Sequence, residues 1–222
     1  EGVSPELDRE REKWMTDVPL CASFMHLHIG FDATDLPSSL PPQWTVCQDW
    51  NQPIDAPGNV IVVSMPSLLD PSLSPPGRHV IHAYTAGNEP YSVWEKYKGV
   101  RDREKNEEYE KLKEERAKCL WEAVEKHIPD IRQRVKVSLV GTPLTHERFN
   151  RRYKGTYGPA ISAGQSDVSF PGSITPLQGL YRCGDSTNPG IGVPAVAASG
   201  AMSAAAIMSV WDHLQLLNKI RF

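Results

Sequence analysis

The amino-acid sequence predicts a mixed fold of the α/β or α+β class. Between residues 20 and 85, four segments show strand-like patterning and are separated by proline-rich turns. A densely charged helical segment follows, and a long helix rich in small residues comes after a glycine-rich turn near the end of the chain. We therefore expect an antiparallel sheet with helices on one face, followed by a strand, a turn and a helix.

The first strand is predicted over residues 20–31, after a charged lead-in that is frayed or helical over residues 1–13. Its residues alternate between an apolar face and a face that carries Phe24, His26, His28 and Gly30. Three further strands are predicted at residues 44–50, 59–65 and 79–85. Turns such as Pro41-Pro42 separate them, because proline cannot continue a central strand.

Helical spacing dominates residues 89–127, where Leu120, Val124 and Ile128 recur every four residues. The mixed charges of this helix favour a solvated face over a site for polyanions. Pro129 is expected to stop it. The remaining elements are a strand at 135–140, a short helix at 145–151, a strand at 180–183, and a helix from Val193 to about residue 217.

Composition excludes several classes of protein. The chain has 222 residues, with 24 basic and 27 acidic side chains and a net charge of −3, which gives no electrostatic footprint for nucleic acid. The four cysteines are far apart, which favours inert thiols in a reducing compartment over disulfides. No apolar run is long enough to span a bilayer.

The glycine-rich turn is the most informative segment. Gly190, Gly192 and Ala195 match the dinucleotide pattern G-x-G-x-x-A. That pattern requires an acidic residue on a second strand, whereas Asp212 lies on the same predicted helix, so we reject this interpretation. Two alternatives remain: an ordinary turn before a packed helix, and a helix N-terminus that binds a phosphate or a polarised ring carbonyl.

His26 and His28 form an H-x-H pair on one strand face, where two imidazoles could bind a metal. No third ligand has a useful spacing in sequence, and His79 and His82 are interpreted as ordinary strand residues. We therefore expect no metal site and a partly polar sheet face that lines a cavity. No Ser-His-Asp or Cys-His pattern is present, so the catalytic residues are unknown.

Three segments resemble one family. Residues 179–200 (GLYRCGDSTNPGIGVPAVAASG), 67–85 (SLLDPSLSPPGRHVIHAYT) and 141–159 (GTPLTHERFNRRYKGTYGP) are similar to segments of the carotenoid isomerase and phytoene desaturase group of FAD-dependent oxidoreductases. This resemblance implies a flavin-redox isomerase or desaturase that acts on a carotenoid-like polyene. The G-x-G-x-x-G unit with which that group begins is absent from these 222 residues.

The resemblance also implies which residues bind FAD and substrate. The expected cofactor-binding residues are Gly184, Asp185, Gly190, Ile191, Gly192, Val193 and Ala195. Asp185 would meet the ribityl and pyrophosphate region, although an aspartate here could simply cap the turn. The expected substrate-binding residues are His26, His28, Gly30 and Tyr157.

By the same resemblance, the chain is the C-terminal half of a two-domain flavoprotein. Residues 1–19 would be a lead-in, residues 20–140 most of a substrate-binding domain, and residues 141–222 the end of the FAD-binding domain. An N-terminal half, in cis or from a partner chain, would complete the FAD site. The alternative is a non-catalytic structural or assembly subunit of a larger membrane complex, for example a photosynthetic one. The implied location is a plastid or cyanobacterial thylakoid setting, as a peripheral membrane protein or in the stroma or cytoplasm.

Overall fold

The computed structural model describes residues 4–100, 102, 105–160 and 170–220. The chain divides into two compact units. The sheet unit comprises Ala22–Thr156, and the flanking unit comprises Glu1–Cys21 with Tyr157–Phe222. The predicted domain boundaries at 19/20 and 140/141 remain a prediction.

The sheet unit contains one antiparallel sheet of five strands, in the order β2-β3-β4-β1-β5. The strands are β1 (His26–Asp32), β2 (Gln43–Cys47), β3 (Val60–Ser64), β4 (Arg78–Thr85) and β5 (Val135–Gly141). Each of the five lies at or within a few residues of a predicted strand, and the predicted antiparallel sheet is confirmed.

Six α-helices occur in the part of the chain that the structure describes. The sheet unit holds α2 (Glu107–Glu125), α3 (Ile131–Arg134) and α4 (Pro143–Asn150), and the flanking unit holds α1 (Pro5–Asp17), α5 (Val193–Ile207) and α6 (Val210–Lys219). The predicted mixed class of fold is therefore confirmed. None of the described helices has the length and apolar character needed to cross a bilayer.

The core lies between the sheet and α2. Leu27, Ile29 and Phe31 point from β1 into this core and are almost completely buried. Leu120 and Val124 of α2 are buried in the same cluster, as their spacing predicts. The indole nitrogen of Trp44 on β2 donates a hydrogen bond of 3.1 Å to the carbonyl of residue 123, which fixes β2 against α2. The opposite, outer face of the sheet is therefore left to carry His26, His28 and Gly30.

The prediction of one helix over residues 89–127 is wrong at its start. Short 3-10 turns occur at Tyr91–Val93 and Glu95–Tyr97, and α2 begins at Glu107. Pro90 has extended backbone angles, and proline disfavours a helical conformation in the residue before it. Asn106 then starts the helix, because its side chain accepts a hydrogen bond of 3.0 Å from the amide of Tyr109.

The C-terminal segment also differs from the prediction. The helix expected up to residue 217 is two helices, because Ser209 caps α6 by accepting a hydrogen bond of 3.2 Å from the amide of Asp212. The strand expected at 180–183 is reduced to a single bridge between Ile174 and Tyr181. Beside this bridge, the amide of Arg182 donates a hydrogen bond of 2.9 Å to the carbonyl of Ser173. Among the described residues, the pairing of these two segments is too short to form a strand.

Candidate functional site

The glycine-rich turn is anchored to α5 by hydroxyl groups. The amide of Gly184 donates a hydrogen bond of 3.0 Å to Oγ of Ser199, and Oγ1 of Thr187 donates one of 2.7 Å to the carbonyl of Gly184. The hydroxyls of Thr187 and Ser199 are also hydrogen-bonded, and both residues are buried. The turn is thereby held against the first half of α5.

The N-terminus of α5 is open. Gly192 is the N-cap residue, has a φ of 106° and provides no side-chain cap. A Cβ built at Gly192 or at Gly184 would meet no atom within 4 Å, and Val193 is 80% exposed. The first amides of a helix have no partner within the helix and carry the positive end of its dipole. This arrangement suits a phosphate or a polarised carbonyl oxygen.

All seven predicted cofactor-binding residues lie in this turn or in the first turn of α5, and the structure brings them together along one segment. Asp185 is half-buried, and its Oδ1 accepts a hydrogen bond of 3.3 Å from Oγ of Ser186. Gly190 has a φ of 117° and lies against the ring of Phe170, 3.2 Å from where a Cβ would be. Gly190 is therefore required by packing and by its backbone conformation.

Three of the four predicted substrate-binding residues lie on the outer face of the sheet. His26, His28 and Gly30 alternate along β1, whereas Tyr157 belongs to the flanking unit. A Cβ at Gly30 would lie 2.8 Å from Cγ1 of Val137 on β5, so the neighbouring strand alone accounts for this glycine. The pairing with β5 also shifts register between Gly30 and Phe31.

Exposed apolar side chains of β5 share this outer face. Val137 is paired with Gly30, and Leu139 is paired with His28. Because directly opposed residues of an antiparallel pair point to the same side of the sheet, both side chains extend the face that carries the histidines. Leu139 is 65% exposed. The sequence analysis missed these two residues, since their position depends on the pairing of β1 with β5.

Four imidazoles gather on this face, and we call His26, His28, His82 and His146 the histidine cluster. His82 on β4 lies directly opposite His28, and Nδ1 of His26 is 2.8 Å from Nε2 of His82. The ring of His146, on α4, is centred 4.8 Å from that of His26. The cluster lines a pocket of about 200 Å³ together with Phe149 and other residues of α4.

Burial keeps this cluster uncharged. Desolvation, with smaller contributions from the neighbouring imidazoles, lowers the pKa of His26 to about 3. Desolvation likewise lowers the pKa of His82 to about 4 and lowers those of His28 and His146. The rings of His26 and His82 are therefore neutral at physiological pH and offer lone pairs.

The sequence analysis missed the third and fourth members of the cluster. It interpreted His82 as an ordinary strand residue and found no third ligand for the H-x-H pair, but the structure places His82 beside both. The missing signal was strand register, because the β1–β4 pairing that opposes His28 to His82 joins segments more than 50 residues apart.

Comparisons with known proteins were made for the whole chain. No protein-family model matches the sequence. The chain is 36% identical over 201 residues to the chloroplastic prolycopene isomerase of Arabidopsis thaliana, covering 90% of this chain and 32% of that protein. It is 37% identical over 185 residues to prolycopene isomerase 1 of an Oncidium hybrid cultivar, covering 82% of this chain and 30% of that protein.

More distant similarities were also found. A stretch of 88 residues is 35% identical to a 4,4'-diapophytoene desaturase of Staphylococcus haemolyticus, covering 39% of this chain and 18% of that protein. A crystal structure of an oxidoreductase from Methanosarcina mazei aligns with 92% of this chain and 38% of its own, at a TM-score of 0.41 and 19% identity. The chain thus spans about a third of the length of the prolycopene isomerases that it matches.

Proposed function

We propose that this chain, a homologue of the prolycopene isomerases, is the C-terminal part of an FAD-dependent oxidoreductase or isomerase that acts on carotenoid-like polyenes. Residues 141–222 would contribute to the FAD-binding domain and residues 20–140 to the substrate-binding domain. The observation that carries the proposal is the open N-terminus of α5, which follows the Gly184-Asp185 turn in a chain of this ancestry.

The residues of this turn fit a flavin cofactor. Gly184 and Gly192 leave room where a side chain would stand, and the exposed start of α5 presents backbone amides. These amides would donate to the polar edge of the flavin ring, and Asp185 would accept from the ribityl chain. When bound, FAD supplies the redox chemistry, and the protein supplies orientation and electrostatics.

The outer face of the sheet would hold the polyene. A polyene needs a long apolar surface with little requirement for hydrogen bonds, and Val137 and Leu139 supply exposed apolar surface beside His28 and Gly30. The contribution of this face would be to bind and orient the substrate. His26, His28, Gly30 and Tyr157 remain the substrate-binding residues that we propose.

Both the isomerases and the desaturase among the relatives are named as enzymes, which favours catalysis over the alternative of a purely structural or assembly subunit. A second half of the flavoprotein, in cis or from a partner chain, is part of this proposal. Since the relatives of known location are chloroplastic, we place the protein in a plastid. Peripheral association with the thylakoid would bring it to a membrane-dissolved substrate.

The experiment is to purify the longest natural polypeptide that contains this chain and to measure its flavin and its activity together. We expect one FAD per chain by absorbance, and flavin-dependent conversion of a poly-cis carotene in lipid vesicles, followed by chromatography. A protein that binds FAD but converts no carotene would contradict the substrate, and one that excludes FAD would contradict the whole proposal.

A further inference from the structure

We propose that His26, His28 and His82 form a binding site for one divalent first-row transition-metal ion, with Zn²⁺ as its simplest occupant. One ring nitrogen from each of these residues lies within 4.8 Å of the corresponding nitrogens of the other two. The site is separate from the glycine-rich turn and goes beyond the flavin-dependent function proposed above.

The three imidazoles are fixed by the centre of the sheet. β1 and β4 are adjacent inner strands, and their register sets His28 directly opposite His82. His26 precedes His28 by two residues and therefore projects from the same face. A ligand set built on paired inner strands is positioned more precisely than one built on loops. The backbone thus preorganises the cluster before any ion binds.

The distances suit a shared ion after small side-chain rotations. With metal–nitrogen bonds of about 2.0–2.1 Å, ligand nitrogens are about 3.4 Å apart in tetrahedral coordination and about 2.9 Å apart at right angles. Nδ1 of His26 and Nε2 of His82 are 2.8 Å apart. The rings of His28 and His82 are stacked with their centroids 4.4 Å apart and their planes 4° from parallel. His28 is exposed, and a shared ion requires rotation of its ring to bring its nitrogen from within 4.8 Å of the other two to about 3.4 Å.

The facing nitrogens of His26 and His82 can share one proton in a hydrogen bond or can bind one ion together. Nε2 of His26 is buried without a hydrogen-bond partner, and coordination through Nδ1 would leave it so. Coordination of both facing nitrogens requires only a change of tautomer in one ring, with no net loss of protons.

The donor set selects the class of ion. Three neutral imidazoles favour Zn²⁺, Cu²⁺, Ni²⁺ or Co²⁺, and the group contains no carboxylate of the kind that Mg²⁺ or Ca²⁺ prefers. Three protein ligands leave a coordination position open, as in catalytic rather than structural zinc sites. The pocket of about 200 Å³ that the cluster lines offers space for a water molecule or another ligand at that position. His146 lies next to the three ligands, with its ring beside that of His26.

The test uses the longest natural polypeptide that contains this chain, with any flavin removed, titrated with Co²⁺ and with Zn²⁺ in a buffer that does not bind metals. We expect one ion per chain, a cobalt spectrum typical of nitrogen ligands, and displacement of Co²⁺ by Zn²⁺. His28→Ala and His82→Ala should each weaken Zn²⁺ binding at least tenfold, measured by competition with a chromogenic chelator. His28 is exposed, so its replacement should leave the thermal unfolding transition unchanged.

His127→Ala is the matched control, because His127 is an exposed histidine outside the cluster, with its ring tilted against that of Trp44. This variant should bind Zn²⁺ as the unmodified chain does. The proposal is overturned if the unmodified chain binds no stoichiometric ion, if His28→Ala and His82→Ala both retain full affinity, or if His127→Ala loses affinity equally. The readout is metal binding alone, so failure of the flavin proposal would leave this result unaffected.

Discussion

The carboxylate of Glu89 receives two hydrogen bonds from the guanidinium of Arg116, one of 2.9 Å from Nε and one of 2.6 Å from Nη2. Glu89 is 1% exposed and precedes the 3-10 turns, whereas Arg116 lies in the middle of α2. The indole nitrogen of Trp94 donates a third hydrogen bond of 2.8 Å to the same carboxylate. This group ties the connection after β4 to the helix that covers the sheet.

Arg116→Met is expected to lower the free energy of unfolding by about 3–5 kcal/mol, because it leaves a buried carboxylate without its counter-charge. Urea denaturation followed by circular dichroism measures the change. Lys118→Met removes an exposed ion pair with Glu122 on the same helix and should cost less than about 1 kcal/mol. If the two substitutions lower the free energy of unfolding equally, the buried ion pair stabilises the fold no more than the exposed one does.

Cys119 should make stability depend on pH in the alkaline range. Burial raises the pKa of its thiol from 9.0 to about 11, so the unfolded chain loses this proton at a lower pH than the folded chain. The resulting contribution to stability is complete below pH 9 and is lost as the pH rises through 11. The free energy of unfolding should therefore fall more between pH 8 and pH 10.5 in the unmodified chain than in Cys119→Ala.

Cys183→Ala provides the comparison for that measurement, since Cys183 is exposed and both variants lack one thiol. Cys183→Ala should lose as much free energy of unfolding between pH 8 and pH 10.5 as the unmodified chain does. If Cys119→Ala loses as much stability between the two pH values as Cys183→Ala does, the buried thiol is not the source.

Asp185→Ala is expected to weaken FAD binding by about 1.5–3 kcal/mol, or roughly 10- to 150-fold, the usual cost of losing a hydrogen bond to a charged group. Flavin fluorescence titrated near the dissociation constant measures it, in the longest natural polypeptide. Asp212→Ala is the control, because Asp212 lies in the first turn of α6 and interacts with Ser209. Undiminished affinity in Asp185→Ala would remove this residue from the flavin site.

Leu139→Glu should impair the isomerisation or desaturation of a polyene and leave flavin occupancy unchanged. The substitution puts a charge on the apolar outer face, where a polyene cannot compensate its desolvation. Carotenoid profiles of cells that depend on the variant would show accumulated substrate. Ser138→Glu places the same charge on the other face of β5 and should give a normal profile. Identical profiles for the two variants would argue against this face as the substrate surface.

The isolated 222-residue chain is expected to associate and to form no competent FAD site. α5 and α6 expose large apolar side chains, among them Ile207, Val210 and Trp211, the last of them 75% exposed. Sedimentation velocity at several concentrations should show species larger than the monomer, and Trp211→Glu should reduce them. Trp50→Glu alters a tryptophan of the sheet unit that is 88% exposed and should have less effect. A cooperatively melting monomer that takes up FAD would disprove this expectation.

Local patterns predicted the elements whose causes are local. Alternation along residues 20–31 revealed the apolar face of β1, and the glycines and Pro194 marked the start of α5. The break before α6 was also readable, because Ser209 and Asp212 form the S-x-x-D pattern of a capped helix start. The helix predicted from residue 89 begins instead at Glu107, after Pro90, which is extended, and Gly99, which has a φ of 74°.

The two candidate sites also differ in how far the sequence alone could predict them. The seven predicted cofactor-binding residues lie within residues 184–195, so a sequence motif could identify them together. The histidine cluster and the apolar residues of β5 come from three strands and a helix, and only strand register brings them to one face. A single sequence carries no direct signal for the pairing of segments 50 to 110 residues apart.

The inner position of β1 has a consequence for how the protein is made. β1 leaves the ribosome before the other four strands of this sheet, yet both of its partners, β4 and β5, come later in the chain. Until residue 141 has emerged, Leu27, Ile29 and Phe31 lack part of the sheet that buries them. At synthesis rates of about 5–20 residues per second, the wait is on the order of 5–25 seconds. During that interval β1 is an apolar strand with open edges, the form of nascent chain that molecular chaperones bind.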